Sequence, residues 1–175
     1  MSCVSTLVLG GARSGKSAFA ERLAVESGFE RLYLATATPF DDEMAARIAR
    51  HRADRVEAGW QTLEEPLEIA DIIRREATST RVILLDCLTL WLNNLMFAGR
   101  DVAAEQAALL EALREARGPV ILVSNEVGLG LVPETPLGRD FRDAQGRLNQ
   151  AVAALVPSVV FVAAGLPLTL KPSAF

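Results

Sequence analysis

The chain has 175 residues, of which 50% are hydrophobic and 23% charged, which suits a single folded domain over residues 1–175 and excludes wholesale disorder. The formal net charge is -4, so no global positive field argues for nucleic acid or an anionic membrane surface as partner. Two distant cysteines and a single histidine, His51, exclude a disulfide scaffold, a cysteine-zinc site and a multi-histidine metal centre, and fit the reducing cytoplasm.

In chain order, Met1–Leu9 lacks the basic start of a secretory leader, and no stretch reaches the roughly 18 apolar residues of a membrane span. Val4–Leu9 reads as a buried strand closed by Gly10-Gly11, and Ser14–Glu26 as a helix stopped near Gly28. Arg31–Ala35 is a second strand. Asp41-Asp42-Glu43 opens a predicted helix to about Arg55, with acidic residues suited to its first turn. A brief strand is expected over Trp60–Leu63, then a helix starting at Pro66. Arg81–Leu85 is a strongly apolar strand ending at Asp86. Leu88–Phe97 and Ala103–Arg117 read as two helices split at Gly99, and Val120–Val123 as another apolar strand. A Gly- and Pro-containing loop leads to a helix over Arg139–Leu155, a strand over Val159–Ala163 and an edge strand over Leu166–Leu170. Apolar strands without alternation, interleaved with helices, predict an α/β fold whose mostly parallel central sheet is covered on both faces. Ligands of such sheets bind beyond the carboxyl ends of the strands. Residues just after the strands therefore carry the candidate chemistry.

The first such segment is Gly10-Gly11-Ala12-Arg13-Ser14-Gly15-Lys16-Ser17, a complete G-x-x-x-x-G-K-[ST] between a strand and a helix. Glycines let the backbone amides curl around phosphate oxygens, and the helix N-terminus adds its positive end. Lys16 supplies a charge to the β- and γ-phosphates, and the Ser17 hydroxyl can ligate Mg²⁺. Asp86, ending a buried strand, is the expected acidic partner of that metal. Ser124-Asn125-Glu126 also follows a strand; it reads either as a ligand-facing group or as a polar turn.

Arg47, His51 and Arg55 share one face of the predicted helix at i, i+4 and i+8. Two readings stand here. One is a solvated charged helix, with Glu43–Arg47 and Arg50–Asp54 as ordinary pairs. The other makes His51 a nucleophile toward phosphorus, flanked by guanidinium groups that stabilise the growing charge.

The phosphate loop is followed in order by Tyr33-Leu34-Ala35-Thr36-Ala37, Asp42-Glu43-Met44, His51-Arg52, Arg55, Trp60, Glu64, Asp86-Cys87-Leu88-Thr89, Ser124-Asn125-Glu126-Val127-Gly128 and Phe141-Arg142-Asp143. This series resembles the bifunctional adenosylcobinamide kinase/adenosylcobinamide-phosphate guanylyltransferases of cobalamin biosynthesis. The resemblance spans almost the whole chain. It implies a RecA-like P-loop fold and two reactions. A nucleoside triphosphate, ATP or GTP, phosphorylates the aminopropanol hydroxyl of adenosylcobinamide. GTP then guanylylates His51, and the GMP passes to adenosylcobinamide phosphate, giving adenosylcobinamide-GDP. It further implies nucleotide contacts from Gly10–Ser17, Ala35, Thr36, Ala37, Arg52, Ala53, Asp54, Arg55, Glu64 and Asp86, and a homotrimer. A P-loop small-molecule kinase without guanylyl transfer and a RecA-like NTPase module remain as competing functions, with a guanine-nucleotide sensor disfavoured by the lack of an N-K-x-D guanine reader.

Overall fold

The computed structural model describes residues 4–38 and 57–172. The predicted helix over residues 41–55, and with it His51, Arg52, Ala53, Asp54 and Arg55, lies outside the described residues. The described strands are β1 (Thr6–Gly10), β2 (Glu30–Ala35), β3 (Trp60–Glu64), β4 (Arg81–Asp86), β5 (Val120–Asn125), β6 (Ser158–Ala163) and β7 (Leu166–Lys171). The helices are α1 (Lys16–Glu26), α2 (Ile69–Glu76), α3 (Leu88–Phe97), α4 (Val102–Glu115) and α5 (Pro136–Leu155).

All seven strands join one sheet in the order β3-β2-β4-β5-β1-β6-β7. Every pairing is parallel except the last, where β7 returns antiparallel to β6. The central strands are buried on both faces, which is why their sequences run apolar without alternation. Strand parity divides the core in two. Leu7, Leu32, Leu34, Ile83, Leu85 and Leu122 face α2, α3, α4 and α5, with Trp91 and Leu92 of α3 at the centre of that layer. Val8, Tyr33, Val82, Leu84, Ile121 and Val123 point the other way, packed with Ala20 and Ala24 of α1. Trp60 lies in this second layer, edge-on to Tyr33.

Most boundaries fall within two or three residues of the sequence reading. Three helix starts move for local reasons. α1 begins at Lys16 rather than Ser14, because Ser14 and Gly15 belong to the turn that precedes it. α2 begins at Ile69, after the Glu65 carboxylate has accepted the amides of Leu67 and Glu68. α5 begins at Pro136 rather than Arg139: Thr135 caps it by accepting the Gly138 N–H, and Pro136 sits in the first turn.

The chain leaves β1 through α1 toward β2, but leaves β5 through α5 to reach β6 on the far side of β1. The two connections diverge on opposite faces of the sheet. That divergence opens a crevice at the carboxyl ends of β1 and β5, the usual ligand position in open α/β sheets.

Candidate active site

The turn from Gly10 to Lys16 lies over that crevice. Gly15 has φ +93° and Arg13 φ +55°, and the turn is closed by Ser14 N–H donating to Gly11 O at 3.3 Å. Backbone alternating into the left-handed region forms a concave set of amides suited to an anion. Glycine at position 10 is required by space: a Cβ there would stand 2.5 Å from both the Val162 carbonyl oxygen and Ser14 Oγ. Lys16 Nζ donates to Gly11 O at 3.2 Å, so the ammonium lies back across its own loop. Ser14 Oγ is buried and, among the described residues, has no hydrogen-bond partner within the cradle. Two neighbours brace the turn. Glu126 N–H donates to Gly10 O at 3.1 Å, and Gly165 N–H, in the β6–β7 turn, donates to Ser14 O at 2.8 Å.

Asp86 ends β4, two strands from β1. Its parity matches Leu84 and Val82, so its side chain belongs to the α1 side of the sheet, the side on which the phosphate-loop helix packs. The Tyr33 hydroxyl donates to Asp86 Oδ2 at 2.9 Å. Burial, reinforced by the Asp86 charge, raises the Cys87 thiol above its ordinary 9.0, while the Lys16 ammonium pulls the other way. Lys16 and Asp86 thus both act electrostatically on this thiol.

Ala35 pairs in register with both Glu64 and Asp86, so these residues form one row across the ends of β3, β2 and β4. Beyond Ala35, Thr36 is fully buried. Its N–H donates to Asp86 O at 3.2 Å, and its hydroxyl donates to Cys87 O at 2.7 Å and accepts the Cys87 N–H at 2.8 Å. Asn94 Nδ2 donates to Thr36 O at 2.8 Å and to Pro66 O at 3.1 Å, tying the row to α3 and the start of α2. Ala37 follows, half-buried, and Glu64 is exposed. The structure therefore gathers Gly10–Ser17, Ala35–Ala37, Glu64 and Asp86 along one sheet edge. Glu64 lies four strand spacings from β1, about 19 Å at ~4.8 Å each.

Ser124-Asn125-Glu126 divides between roles. Ser124 is fully buried, its hydroxyl donating to Asn149 Oδ1 at 2.6 Å and accepting from Gln145 Nε2 at 3.0 Å. The Glu126 carboxylate accepts the amides of Gly128 and Leu129. These two side chains organise the loop. Asn125 is the register partner of Gly10, and its Oδ1 is buried without a partner. Sequence reasoning assigned no role to the Tyr33 hydroxyl or to Gln145. Tyr33 is the register partner of Leu84, two residues before Asp86 on the same face, a signal that exists only once β2 is paired with β4.

Residues 6–170 match the family model described as Cobinamide kinase / cobinamide phosphate guanyltransferase. The chain belongs to this family. Within the cobinamide kinase / guanyltransferase family, one relative is the bifunctional adenosylcobalamin biosynthesis protein CobP of Pseudomonas aeruginosa. It is 54% identical over 167 residues, covering 94% of this chain and 96% of that protein. The bifunctional adenosylcobalamin biosynthesis protein CobU of Escherichia coli is 41% identical over 180 residues, covering 94% and 98%. Among solved structures, the RadB recombinase superposes with a TM-score of 0.52 over 91% of this chain and 74% of that one, at 16% identity. That likeness places the family's sheet and phosphate loop in the RecA-like P-loop fold.

Proposed function

We propose that this chain phosphorylates adenosylcobinamide and then transfers GMP from GTP, through a GMP–histidine intermediate on His51, to adenosylcobinamide phosphate. The observation that carries this reading is the phosphate cradle of Gly10–Ser17, at the same carboxyl edge of the sheet as Asp86, in a chain that matches the family over residues 6–170. In the kinase step the aminopropanol hydroxyl oxygen bonds to the γ-phosphorus as the bridging bond to the β-phosphate breaks, the nucleoside diphosphate leaves, and the hydroxyl proton passes to solvent. Cradle amides and Lys16 receive the charge that develops on the phosphate oxygens. In the guanylyl step a His51 ring nitrogen bonds to the α-phosphorus and pyrophosphate leaves. A phosphate oxygen of cobinamide phosphate then attacks the same phosphorus and frees the imidazole.

Ser17, in the first turn of α1, and Asp86, steadied by Tyr33, are the residues that would hold a Mg²⁺. Magnesium takes one or two protein ligands and fills its shell with phosphate oxygens and water. Such a sparse set fits the described residues, among which no three His, Cys, Asp or Glu gather. Bound there, the ion supplies charge neutralisation at the phosphates. Ala35, Thr36, Ala37, Arg52, Ala53, Asp54, Arg55 and Glu64 complete the proposed nucleotide contacts, and ATP and GTP are the proposed donors. We place the protein in the cytoplasm as a homotrimer with its whole length in one nucleotide-binding domain, with no nucleic-acid or membrane partner. Among the described residues no helix is long and apolar enough to cross a membrane.

Incubation with GTP labelled at the α-phosphate tests the transferase half. Label is expected on His51, stable in alkali and lost in acid; its absence from the wild type rejects that half. Transfer of a γ-label from ATP or GTP to adenosylcobinamide tests the kinase half. His51→Ala should abolish the α-label and retain kinase activity, because the two steps break different phosphorus–oxygen bonds.

A further inference from the structure

Five large apolar side chains are exposed to water on segments that converge at the start of α5. Phe97, at the end of α3, is 76% exposed; Leu129, Leu131 and Val132, in the loop after β5, are 83%, 96% and 63% exposed; Leu137, in the first turn of α5, is 58% exposed. Large exposed apolar surface marks a binding site. Phe97 and Leu137 also line a cavity of about 300 Å³ between α3 and α5, with Asn93, Met96 and Phe141. Among the described residues no charged side chain lines it.

The loop that presents these leucines is held at both ends. Glu126 accepts the Gly128 and Leu129 amides at 2.7 and 3.0 Å. At the other end Arg139 Nη1 donates to Pro133 O at 3.0 Å and Glu134 O at 2.8 Å, folding the loop onto α5. A Cβ on Gly138 would lie 2.8 Å from Pro133 Cβ, so the loop and helix are in close contact. A loop braced in this way keeps its apolar side chains outward instead of letting them collapse inward.

Its position says what it faces. Glu126 N–H, at the root of the loop, is bonded to Gly10 O of the phosphate cradle. Gln145 and Asn149 of α5 bond at the level of the β5 carboxyl end. Residues 136–144, about 13 Å of helix, therefore stand beyond the sheet edge on the ligand side. The loop that carries Leu129, Leu131 and Val132 thus starts at a residue bonded to the phosphate cradle.

We propose that this wall, Phe97, Leu129, Leu131, Val132 and Leu137 with the cavity beside it, docks the corrin macrocycle of the acceptor substrate. The inference rests on the function proposed above. A corrin ring has an apolar, methyl-bearing periphery and neutral amide arms. Uncharged apolar surface with one carboxamide, Asn93, matches that chemistry, and continuity with the cradle lets the arm that ends in the reacting hydroxyl reach the nucleotide.

The test uses the full chain with Leu129→Ser/Leu131→Ser and, separately, Phe97→Ser. Equilibrium dialysis against adenosylcobinamide reads binding without needing turnover. Each variant is expected to bind at least ten-fold more weakly and to show a KM for adenosylcobinamide raised to match. The KM for nucleotide and the GTP-dependent covalent label should stay at wild-type levels. Unchanged corrinoid binding in both variants overturns the proposal. So does a variant whose native mass by analytical ultracentrifugation falls below that of the wild type, because the wall would then be an interface between copies. Wild-type protein that binds the corrinoid but phosphorylates nothing would defeat the proposed function and leave the wall standing; wild type that does not bind it defeats the wall.

Discussion

The hydroxyl of Tyr33 holds Asp86 Oδ2 at 2.9 Å, and it does so from a residue only 5% exposed. A hydrogen bond to a carboxylate in such surroundings is worth about 1.5–3 kcal/mol. Tyr33→Phe leaves the ring packed against Trp60 and removes only the donor. The expected result is a folded protein whose kinase kcat/KM for the magnesium nucleotide falls roughly ten-fold, recovered in part at higher Mg²⁺. An unchanged Mg²⁺ dependence would show that Tyr33 does not position Asp86. Cys87 gives a second test at this scale. Burial first, then the Asp86 charge, raises its thiol above 9.0 in the folded chain. The unfolded chain therefore loses that proton at lower pH than the folded one. Stability from this group is complete below pH 9 and declines as pH rises beyond it. Urea unfolding between pH 8 and 10 should fall more steeply for wild type than for Cys87→Ala; parallel slopes would contradict the assignment.

At the scale of the element, the β6–β7 turn joins the last parallel strand to the antiparallel edge. Its two central residues, Ala164 at φ +51° and Gly165 at φ +78°, follow a type I′ pattern. Glycine suits its position, but Ala164 carries a Cβ in the left-handed region, at an exposed site. Asparagine tolerates that region better. Ala164→Asn should stabilise the protein by about 0.5–1 kcal/mol, raising Tm by roughly 1–4 °C in a domain of this size. Gly165 N–H still reaches Ser14 O, so nucleotide affinity should not change. A lowered Tm would mean the turn has another form.

The elements differ in how plainly the sequence announced them, and the physics explains the differences. β1, β4 and β5 are buried on both faces, so their apolar runs carry no alternation and are unmistakable. The phosphate loop is legible because its chemistry is local: glycine spacing, a lysine and a hydroxyl within eight residues. The start of α5 was set three residues late because Leu137 and Gly138 are outside its buried stripe, although Thr135-Pro136 carries the cap signal. What stayed hidden is non-local. The Tyr33–Asp86 bond and the Ser124–Gln145–Asn149 cluster depend on strand register and on where α5 crosses β5, and no spacing within one segment encodes either. The apolar wall is hidden for a further reason. Leu129, Leu131 and Val132 read as loop residues, and only the bracing by Glu126 and Arg139 shows that they are held outward.

For the molecule as a whole, the sheet edge couples nucleotide binding to folding. The cradle ties together three parts of the chain far apart in sequence. Gly10 ends β1, Glu126 leads into the wall, and Gly165 lies in the C-terminal hairpin. A nucleotide seated there binds the folded state alone, because the unfolded chain has no cradle. At a ligand concentration one hundred times Kd it should add about 2.7 kcal/mol of stability, or roughly 5–10 °C in Tm. Lys16→Ala separates this linkage from intrinsic stability. Among the described residues Lys16 Nζ makes one bond, to Gly11 O at 3.2 Å, at a half-buried position. Its loss should cost no more than about 1 kcal/mol, so the variant should melt within a few degrees of wild type without nucleotide. With GTP and Mg²⁺ present, wild type should shift upward and Lys16→Ala should stay near its free Tm. A variant that still shifts fully would place the nucleotide elsewhere on the edge. A variant that melts far below wild type before any ligand is added would make Lys16 a structural residue of the cradle.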